Sequence, residues 1–377
     1  MAGNLEAEFA IGHAAADGNP AELWPGLVAD CVGQLGPLGA RAGLGFLYVT
    51  DLIAPHLAEI TAALRQATAI KEWVGSVGIG IIATETEYFD RPALSVMAAA
   101  LPEGSWRLFA GGHAAVAAND DGLGGGFGGP EFGVVHADPR SPTLVEDVAA
   151  LAGERFLVGG LASSRGALDQ VAGEVVRGGL SGVLFRPGLA VSTGLSQGSS
   201  PIGPVRTITA GQQNVLFELD GRRALDVFKE DIGEALSRKL ERVAGYIHAA
   251  FPVAGSDTGD YLVRNLVGID PERGWLAVGE QVTVGERVLF VRRDRQAAEQ
   301  DLVRMLKKVK RGCARPPRAG LYFSCIARGP NLFGPDSAEL RLVRTELGDI
   351  PLVGMFCNGE ISNNRLYGYT GVLALFV

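Results

Sequence analysis

Apolar runs that end in glycine or in small polar residues recur along the chain, and amphipathic stretches separate them. Such runs are typical of buried strands, and they occur at 45–50, 73–75, 133–139, 156–160, 320–325 and 350–356. Residues 54–67 and 143–151 carry apolar side chains at helical spacing. The pattern predicts three β-α-β units, of which the third joins its strands through a long connection that includes 338–347.

Further elements are predicted around these units. The spacing of apolar residues predicts a helix over 21–35. Antiparallel strands are predicted at 92–101, at 182–196 with a turn at 186–188, and at 365–377. A glycine-rich connector at 122–129 is predicted to loop over the surface.

The unit endings repeat, which indicates internal duplication. Val74-Gly75 and Val353-Gly354 are each followed by four residues, a glycine, one residue and an isoleucine. A chain of 377 residues also exceeds the usual size of a single core. We therefore expect a mixed α+β fold of the α/β class, with two related halves whose mixed sheets pack together between helices. The expected domains are 1–210 and 211–377.

Charge and hydropathy exclude some classes of partner. The net charge of -8 and the pI of about 5.3 disfavour nucleic acid, which binds basic surfaces. The basic run from Arg304 to Arg318 is interpreted as the solvated face and end of a helix. No apolar run approaches the roughly 20 residues of a membrane helix, and the first residues lack a signal-peptide pattern. We expect a soluble cytoplasmic protein without membrane or nucleic-acid partners.

The four cysteines, Cys31, Cys313, Cys325 and Cys357, have no metal-ligand or redox spacing. The sequence therefore predicts neither a zinc site nor a disulfide framework. No histidine lies near Cys325 or Cys357 in sequence, so nucleophilic catalysis is not expected, although a cysteine-dependent enzyme stays as an alternative.

Polar side chains follow the predicted strands at the edge where parallel strands end. Open α/β sheets bind ligands at this edge. Arg328 could fork onto the carboxylate of Glu360 or onto an anionic ligand, and a structural ion pair is the alternative. The predicted ligand-binding residues are Arg328, Cys325, Cys357, Asn358, Glu360, Ser76 and Asp138.

Motifs across nearly the whole chain resemble the FIST family, with its N-terminal and C-terminal domains. The similar segments are 158–163, 214–228, 323–334, 351–360 and 366–373. The resemblance implies a sensory module that binds small ligands such as amino acids. Some bacterial members of the family are haem-binding nitric-oxide sensors that act on a partner histidine kinase. Ser76 stands where the family often has a cysteine, which argues against a thiol mechanism in the N-terminal half.

The expected function is that of a small-ligand-binding sensor in signal transduction, without enzymatic activity. The ligand would be a small polar or anionic metabolite, and the output would pass through a separate signalling protein such as a histidine kinase. One alternative is a haem-binding sensor with His136 as the candidate axial ligand, because this histidine ends a predicted strand. The other is a scaffold for protein partners.

Overall fold

A computed structural model describes residues 7–111, 132–153, 155–238, 240, 243, 245–253 and 260–377. The predicted glycine-rich connector at 122–129 lies outside the described residues. The chain forms two compact units, one made of Met1–Ser196 with Leu302–Val377 and the other of Gln197–Asp301. None of the described helices combines the length and the apolar character of a membrane-spanning segment.

The described residues form seven α-helices and 25 strands. The helices are α1 (Pro20–Leu35), α2 (Leu57–Ala67), α3 (Leu144–Ala152), α4 (Ala224–Ile232), α5 (Glu234–Ser237), α6 (Arg295–Gly312) and α7 (Ala338–Leu347). The strands before Gln197 are β1 (Glu8–Ala15), β2 (Leu44–Thr50), β3 (Glu72–Gly78), β4 (Gly80–Ala83), β5 (Thr86–Phe89), β6 (Ala93–Ala100), β7 (Trp106–Ala110), β8 (Phe132–Ala137), β9 (Phe156–Leu161), β10 (Gln170–Ala172), β11 (Glu174–Val176), β12 (Leu180–Phe185) and β13 (Val191–Ser196).

The remaining strands divide between the two units. Those within Gln197–Asp301 are β14 (Ser200–Gln212), β15 (Val215–Leu219), β16 (Arg222–Arg223), β17 (Ile247–Pro252), β18 (Tyr261–Asp270), β19 (Trp275–Val278) and β20 (Arg287–Arg292). Those after it are β21 (Ala319–Cys325), β22 (Leu352–Cys357), β23 (Glu360–Ser362), β24 (Arg365–Tyr367) and β25 (Gly371–Phe376). The mixed α/β class predicted from the sequence is confirmed.

The larger unit contains three six-stranded sheets with one common topology. Sheet A has the order β1-β6-β2-β3-β10-β11, sheet B the order β13-β25-β21-β22-β4-β5, and sheet C the order β7-β12-β8-β9-β23-β24. In each sheet the third and fourth strands are parallel, and α2, α7 or α3 connects them. The three predicted β-α-β units are therefore confirmed, and the repeat is threefold.

The sheets exchange hairpins in a cycle. The strand after β3 of sheet A joins sheet B, the strand after β22 of sheet B joins sheet C, and the strand after β9 of sheet C joins sheet A. The same exchange corrects one prediction, because the predicted 182–196 segment is not one hairpin. Its strands β12 and β13 pair in sheets C and B respectively, so the turn at 186–188 carries the chain between sheets.

One glycine in each repeat permits the parallel strands to approach closely. A Cβ atom on Gly75, Gly159 or Gly354 would lie 1.7 to 1.8 Å from a carbonyl oxygen of the neighbouring strand. In each case the neighbouring residue is the register partner of the glycine. The repeated Val-Gly motif of the sequence thus marks a position where backbone approach excludes any side chain.

The inner faces of the three sheets form one apolar core, and helices cover the outer faces. Leu44, Val134 and Leu321 are examples of inner-face residues that are fully buried there. α1 and α2 cover the outer face of sheet A, and α3 covers that of sheet C. The α1 helix lies so close to β1 that a Cβ atom on Gly12 would be 2.2 Å from the carbonyl oxygen of Cys31.

The smaller unit has its own closed sheet and its own core. Its strands follow the order β14-β20-β17-β18-β19-β15-β16, and β14 also pairs with β15. The buried face of α4 packs on this sheet, with the rings of Phe228 and Phe290 4.7 Å apart. This unit stands in the chain between the second and the third repeat of the larger one.

Candidate functional site

The carboxyl ends of the three parallel strand pairs converge at Ser163. The Ser163 hydroxyl donates to the carbonyl oxygen of Phe356, at the end of β22, over 2.6 Å. It also accepts from the backbone N–H of Ile79, which follows β3, over 2.9 Å. One side chain after β9 therefore joins the ends of all three repeats, as expected for the edge where parallel strands deliver polar groups.

Equivalent residues of the three repeats meet inside the core as an aromatic triangle. Tyr48, His136 and Phe323 occupy the same register position in their repeats. Their ring centroids are 5.6 to 6.1 Å apart, and all three pairs are edge-on. The triangle contains one ring from each sheet, so its packing holds the three sheets together inside the core.

The hairpins that cross between sheets carry a second set of equivalent residues, Ile81, Gln170 and Glu360. The Gln170 amide oxygen accepts from the Ser181 hydroxyl over 2.6 Å. In the repeat that contains Glu360, the position equivalent to Ser181 is Val372, which offers no hydroxyl. Where one repeat has the amide of Gln170 and the hydroxyl of Ser181, another has the carboxyl group of Glu360 and the apolar side chain of Val372.

Glu360 is consequently a fully buried carboxyl group with an incomplete set of partners. Its Oε2 atom accepts from the backbone N–H of Thr370 over 3.0 Å and from the Thr370 hydroxyl over 2.7 Å. Its Oε1 atom has no hydrogen-bond partner of standard geometry among the described residues. Burial raises the pKa of Glu360 to about 8, against the lowering effects of Thr370, Arg328 and the Cys325 thiol. At neutral pH the group is mostly protonated.

Two thiols lie beside this carboxyl group. Cys325 and Cys357 end β21 and β22 as register partners, and both are buried. The Cys357 sulfur occupies the space above Gly160, which is the register partner of Glu360. Burial, followed by the charges of Glu360 and Cys325, raises the pKa of the Cys357 thiol well above its usual value. The described part of the chain contains no cluster of three His, Cys, Asp or Glu residues that could hold a metal.

Arg328 binds a carboxylate that the sequence analysis did not name. It is fully buried, and its Nη2 and Nε atoms lie 2.8 and 2.9 Å from Oε1 of Glu339 in α7. The same carboxylate accepts from the hydroxyls of Tyr322 and Ser324 and from the backbone N–H of Gly329. Arg328 thus forms the structural ion pair that was the alternative to a fork onto Glu360, and its charge also acts to lower the pKa of Glu360.

The other predicted residues divide between this edge and separate surroundings. Asn358 is exposed at the turn between β22 and β23, and its backbone N–H donates to Leu161. Ser76 is buried in sheet A, where its hydroxyl contacts backbone carbonyl oxygens at 3.4 Å. Asp138 accepts from the backbone and the guanidinium of Arg140, which lowers the pKa of Asp138. The structure thus groups Cys325, Cys357, Asn358 and Glu360, but neither Ser76 nor Asp138 joins them.

His136 does not have the surroundings of a haem ligand. Its ring is fully buried between Tyr48 and Phe323, and Nε2 lies 3.1 Å from the Tyr48 hydroxyl. Burial lowers the pKa of His136 to about 3, so the imidazole is neutral. An axial ligand must present a ring nitrogen to an open pocket, and the packing here is that of the aromatic triangle. This packing gives no support to the haem alternative at His136, which stays a prediction.

Sequence reasoning missed Glu339 and Thr370, which complete the surroundings of Arg328 and Glu360. Glu339 lies four and eight residues before the buried Val343 and Leu347, on the apolar side of α7. A carboxylate at that helical spacing was the available signal for a buried ion pair. Thr370 carries no comparable signal, because its role depends on the crossing of β23 into sheet C.

Comparison with known proteins gives family matches over nearly the whole chain. The model of the FIST N domain matches residues 43–222, and the model of the FIST C domain matches residues 224–363. The uncharacterized protein MT0656 of Mycobacterium tuberculosis (strain CDC 1551 / Oshkosh) is 32% identical over 366 residues, which cover 89% of this chain and 90% of that protein. The uncharacterized protein Mb0898c of Mycobacterium bovis is 35% identical over 216 residues, 54% of this chain and 55% of that protein.

The likeness to solved structures is weak. The structure of PurLQS from Thermotoga maritima aligns with a TM-score of 0.26 and 10% identity, over 99% of this chain and 72% of that one. T. maritima PurL complexed with ATP aligns with a TM-score of 0.24. Scores this low carry no argument about this chain.

Proposed function

Because the chain belongs to the FIST family of signal-transduction sensor domains, we propose that it senses a small polar metabolite at the edge formed by Cys325, Cys357, Asn358 and Glu360. The observation that carries the proposal is the buried carboxyl group of Glu360, which interacts with the Cys325 thiol and whose Oε1 atom has no hydrogen-bond partner of standard geometry among the described residues. A buried polar atom without a partner costs free energy that a ligand can recover.

The chemistry of the site favours a ligand with an amino group, such as an amino acid. Arg328 is satisfied by Glu339, so its guanidinium does not face an anionic ligand. Glu360 with a pKa of about 8 is mostly protonated at pH 7, and an ammonium group favours the carboxylate form. Ligand binding would therefore release a proton from Glu360. The output would pass to a separate signalling protein, such as a histidine kinase.

The first prediction concerns this proton. Titration calorimetry with glycine, alanine, lysine and putrescine, repeated in buffers of different ionisation enthalpy, should show proton release for the ligand that binds. Glu360→Gln keeps the volume of the side chain but has no proton to release. We expect this variant to bind at least tenfold more weakly and without a buffer dependence.

Glu146→Gln is the matched control, because Glu146 is an exposed carboxylate in the first turn of α3. It should bind the ligand as the wild type does. Binding that proceeds in Glu360→Gln with the affinity of the wild type would refute a site at Glu360. Absence of binding by all four amines would refute the amine class.

A further inference from the structure

α6 and the segment that follows it carry a concentration of positive charge that contrasts with the rest of the chain. Residues 304–318 contain seven of the 34 basic residues and none of the 42 acidic ones. These cations are exposed, whereas Met305, Leu306 and Val309 of the same helix are buried. We call the exposed cations the basic patch: Arg304, Lys307, Lys308, Lys310, Arg311, Arg315 and Arg318.

The threefold repeat supplies an internal comparison for this helix. α1 packs on β1 at Gly12, and α6 packs on β13 at Gly194, which stands at the equivalent position of its sheet. A Cβ atom on Gly194 would lie 2.4 Å from Val309 and 2.5 Å from Met305. α1 covers its strand without a single lysine or arginine. A helix can therefore cover an edge strand without cations. Packing on β13 does not explain why the basic patch is present.

Part of the patch is used within the molecule. Lys307 lies 3.7 Å from the carboxylate of Glu346 in α7, and Lys310 donates to the Glu346 carbonyl oxygen over 2.7 Å. The ion pair of the patch with α7 is made by Lys307, and none is found for Lys308, Arg315 or Arg318 within the part of the chain that the structure describes. These three exposed charges remain available to a partner.

We propose that the basic patch is a docking surface for an acidic segment of a partner protein. The patch contains no aromatic residue on which bases could stack, and the acidic remainder of the chain would repel a long polyanion. It also exposes no large apolar side chain that could enter a membrane. Charge complementarity with a short acidic peptide is the chemistry that fits.

The patch is connected to the Arg328 network through β13. Ser192 of this strand donates to the carbonyl oxygen of Val309 in α6 over 3.3 Å. Ser196, at the other end of the strand, contacts Arg328 through its hydroxyl at 3.3 Å and its carbonyl oxygen at 3.4 Å. One edge strand thus contacts both the helix that bears the patch and the arginine whose charge acts on Glu360.

The test uses the full chain and a fluorescein-labelled peptide of twelve glutamates, with fluorescence anisotropy in 150 mM KCl. The variant Lys308→Glu with Arg315→Glu should bind at least tenfold more weakly than the wild type. The matched control is Lys71→Glu with Arg287→Glu, which changes the charge equally at exposed sites outside the patch. The control should stay within twofold of the wild type, and thermal unfolding should show all variants folded.

Unchanged binding in the patch variant would overturn the proposal. Tighter binding of phosphatidylserine vesicles or of a twelve-nucleotide oligo-dT at the same residues would overturn it in favour of a membrane or nucleic acid. Glu360→Gln should leave peptide binding unchanged. A failure of the ligand site and a failure of the docking surface are therefore distinguishable.

Discussion

At the scale of single residues, the repeated glycines constrain the fold more than the polar residues around them do. Gly75, Gly159 and Gly354 sit at one equivalent position and each faces a carbonyl oxygen of the neighbouring strand. Because the obstacle is backbone and not a flexible side chain, relief would require the parallel strands to separate. The same constraint acts in each repeat, and this explains why the Val-Gly motif recurs in the sequence.

We predict that Gly159→Ala destabilises the protein by about 3 kcal/mol or more, beyond the common range for overpacking. The added methyl group would lie 1.8 Å from the Val135 carbonyl oxygen. Gly33→Ala is the control, because Gly33 lies inside α1 with no atom near the new methyl group. That change should raise the free energy of unfolding by about 0.5–1 kcal/mol. Urea unfolding of both variants measures the difference, and similar stability for the two would contradict the close-approach argument.

At the scale of elements, the three crossing hairpins differ in how well their polar residues are paired. Gln170 accepts a hydrogen bond from Ser181, whereas the residue equivalent to Ser181 in the repeat of Glu360 is Val372, and Oε1 of Glu360 has no hydrogen-bond partner of standard geometry among the described residues. Ser95, which is equivalent to Ser181 in sheet A, also lacks a hydrogen-bond partner among the described residues. In the hairpin that follows β3, the residue equivalent to Gln170 is Ile81, which is apolar. Two of the three hairpins therefore depart from the paired arrangement, and only one departure introduces an ionisable group.

The pKa of Glu360 gives this departure a measurable pH dependence. The ordinary value is 4.5 and the folded value is about 8, so the folded state holds the proton more tightly than the unfolded state. The stability that this proton provides is complete below pH 4.5 and is lost as pH rises through 8. We expect the free energy of unfolding to fall with a slope on the order of 1 kcal/mol per pH unit in that window.

Two variants separate the contribution of Glu360 from that of Glu87, whose pKa burial also raises to about 8. Glu360→Gln should remove part of the slope. Val372→Ser should supply the missing hydroxyl and lower the pKa of Glu360, so that the loss of stability becomes smaller and ends at a lower pH. Denaturant unfolding between pH 5 and 9 measures all three proteins, and identical slopes would show that Glu360 does not titrate in this window.

At the scale of the whole molecule, the sequence predicts what is local and periodic. The β-α-β units follow from apolar runs and helical spacing, and all three are present. The exchange of hairpins between sheets was not predictable, because the pattern of apolar and polar residues in a strand such as β23 does not show whether it joins sheet B or sheet C. The helical spacing of Glu339 was a signal for its burial, but its pairing with Arg328 was not predictable, because it depends on how α7 packs on the sheet. The sequence therefore predicted the edge of the sheets at which the site lies, but not the contacts within the site. The domain boundary near 210 stays a prediction.

The placement of the smaller unit between two repeats leads to the last prediction. Its two ends are adjacent, because the backbone N–H of Gln197 donates to the carboxylate of Asp301 over 2.6 Å and that of Gly198 does so over 3.0 Å. In the first repeat, β1 passes into α1 through only a short connection. Replacement of 197–301 with a short glycine-serine linker should therefore leave the three sheets intact, since their core is formed by residues outside that segment. We expect the shortened chain to unfold in one cooperative thermal transition with its near-ultraviolet circular dichroism retained, and 197–301 alone to fold around its own core. A shortened chain that keeps helical signal but loses near-ultraviolet dichroism would show that the threefold core depends on the inserted unit.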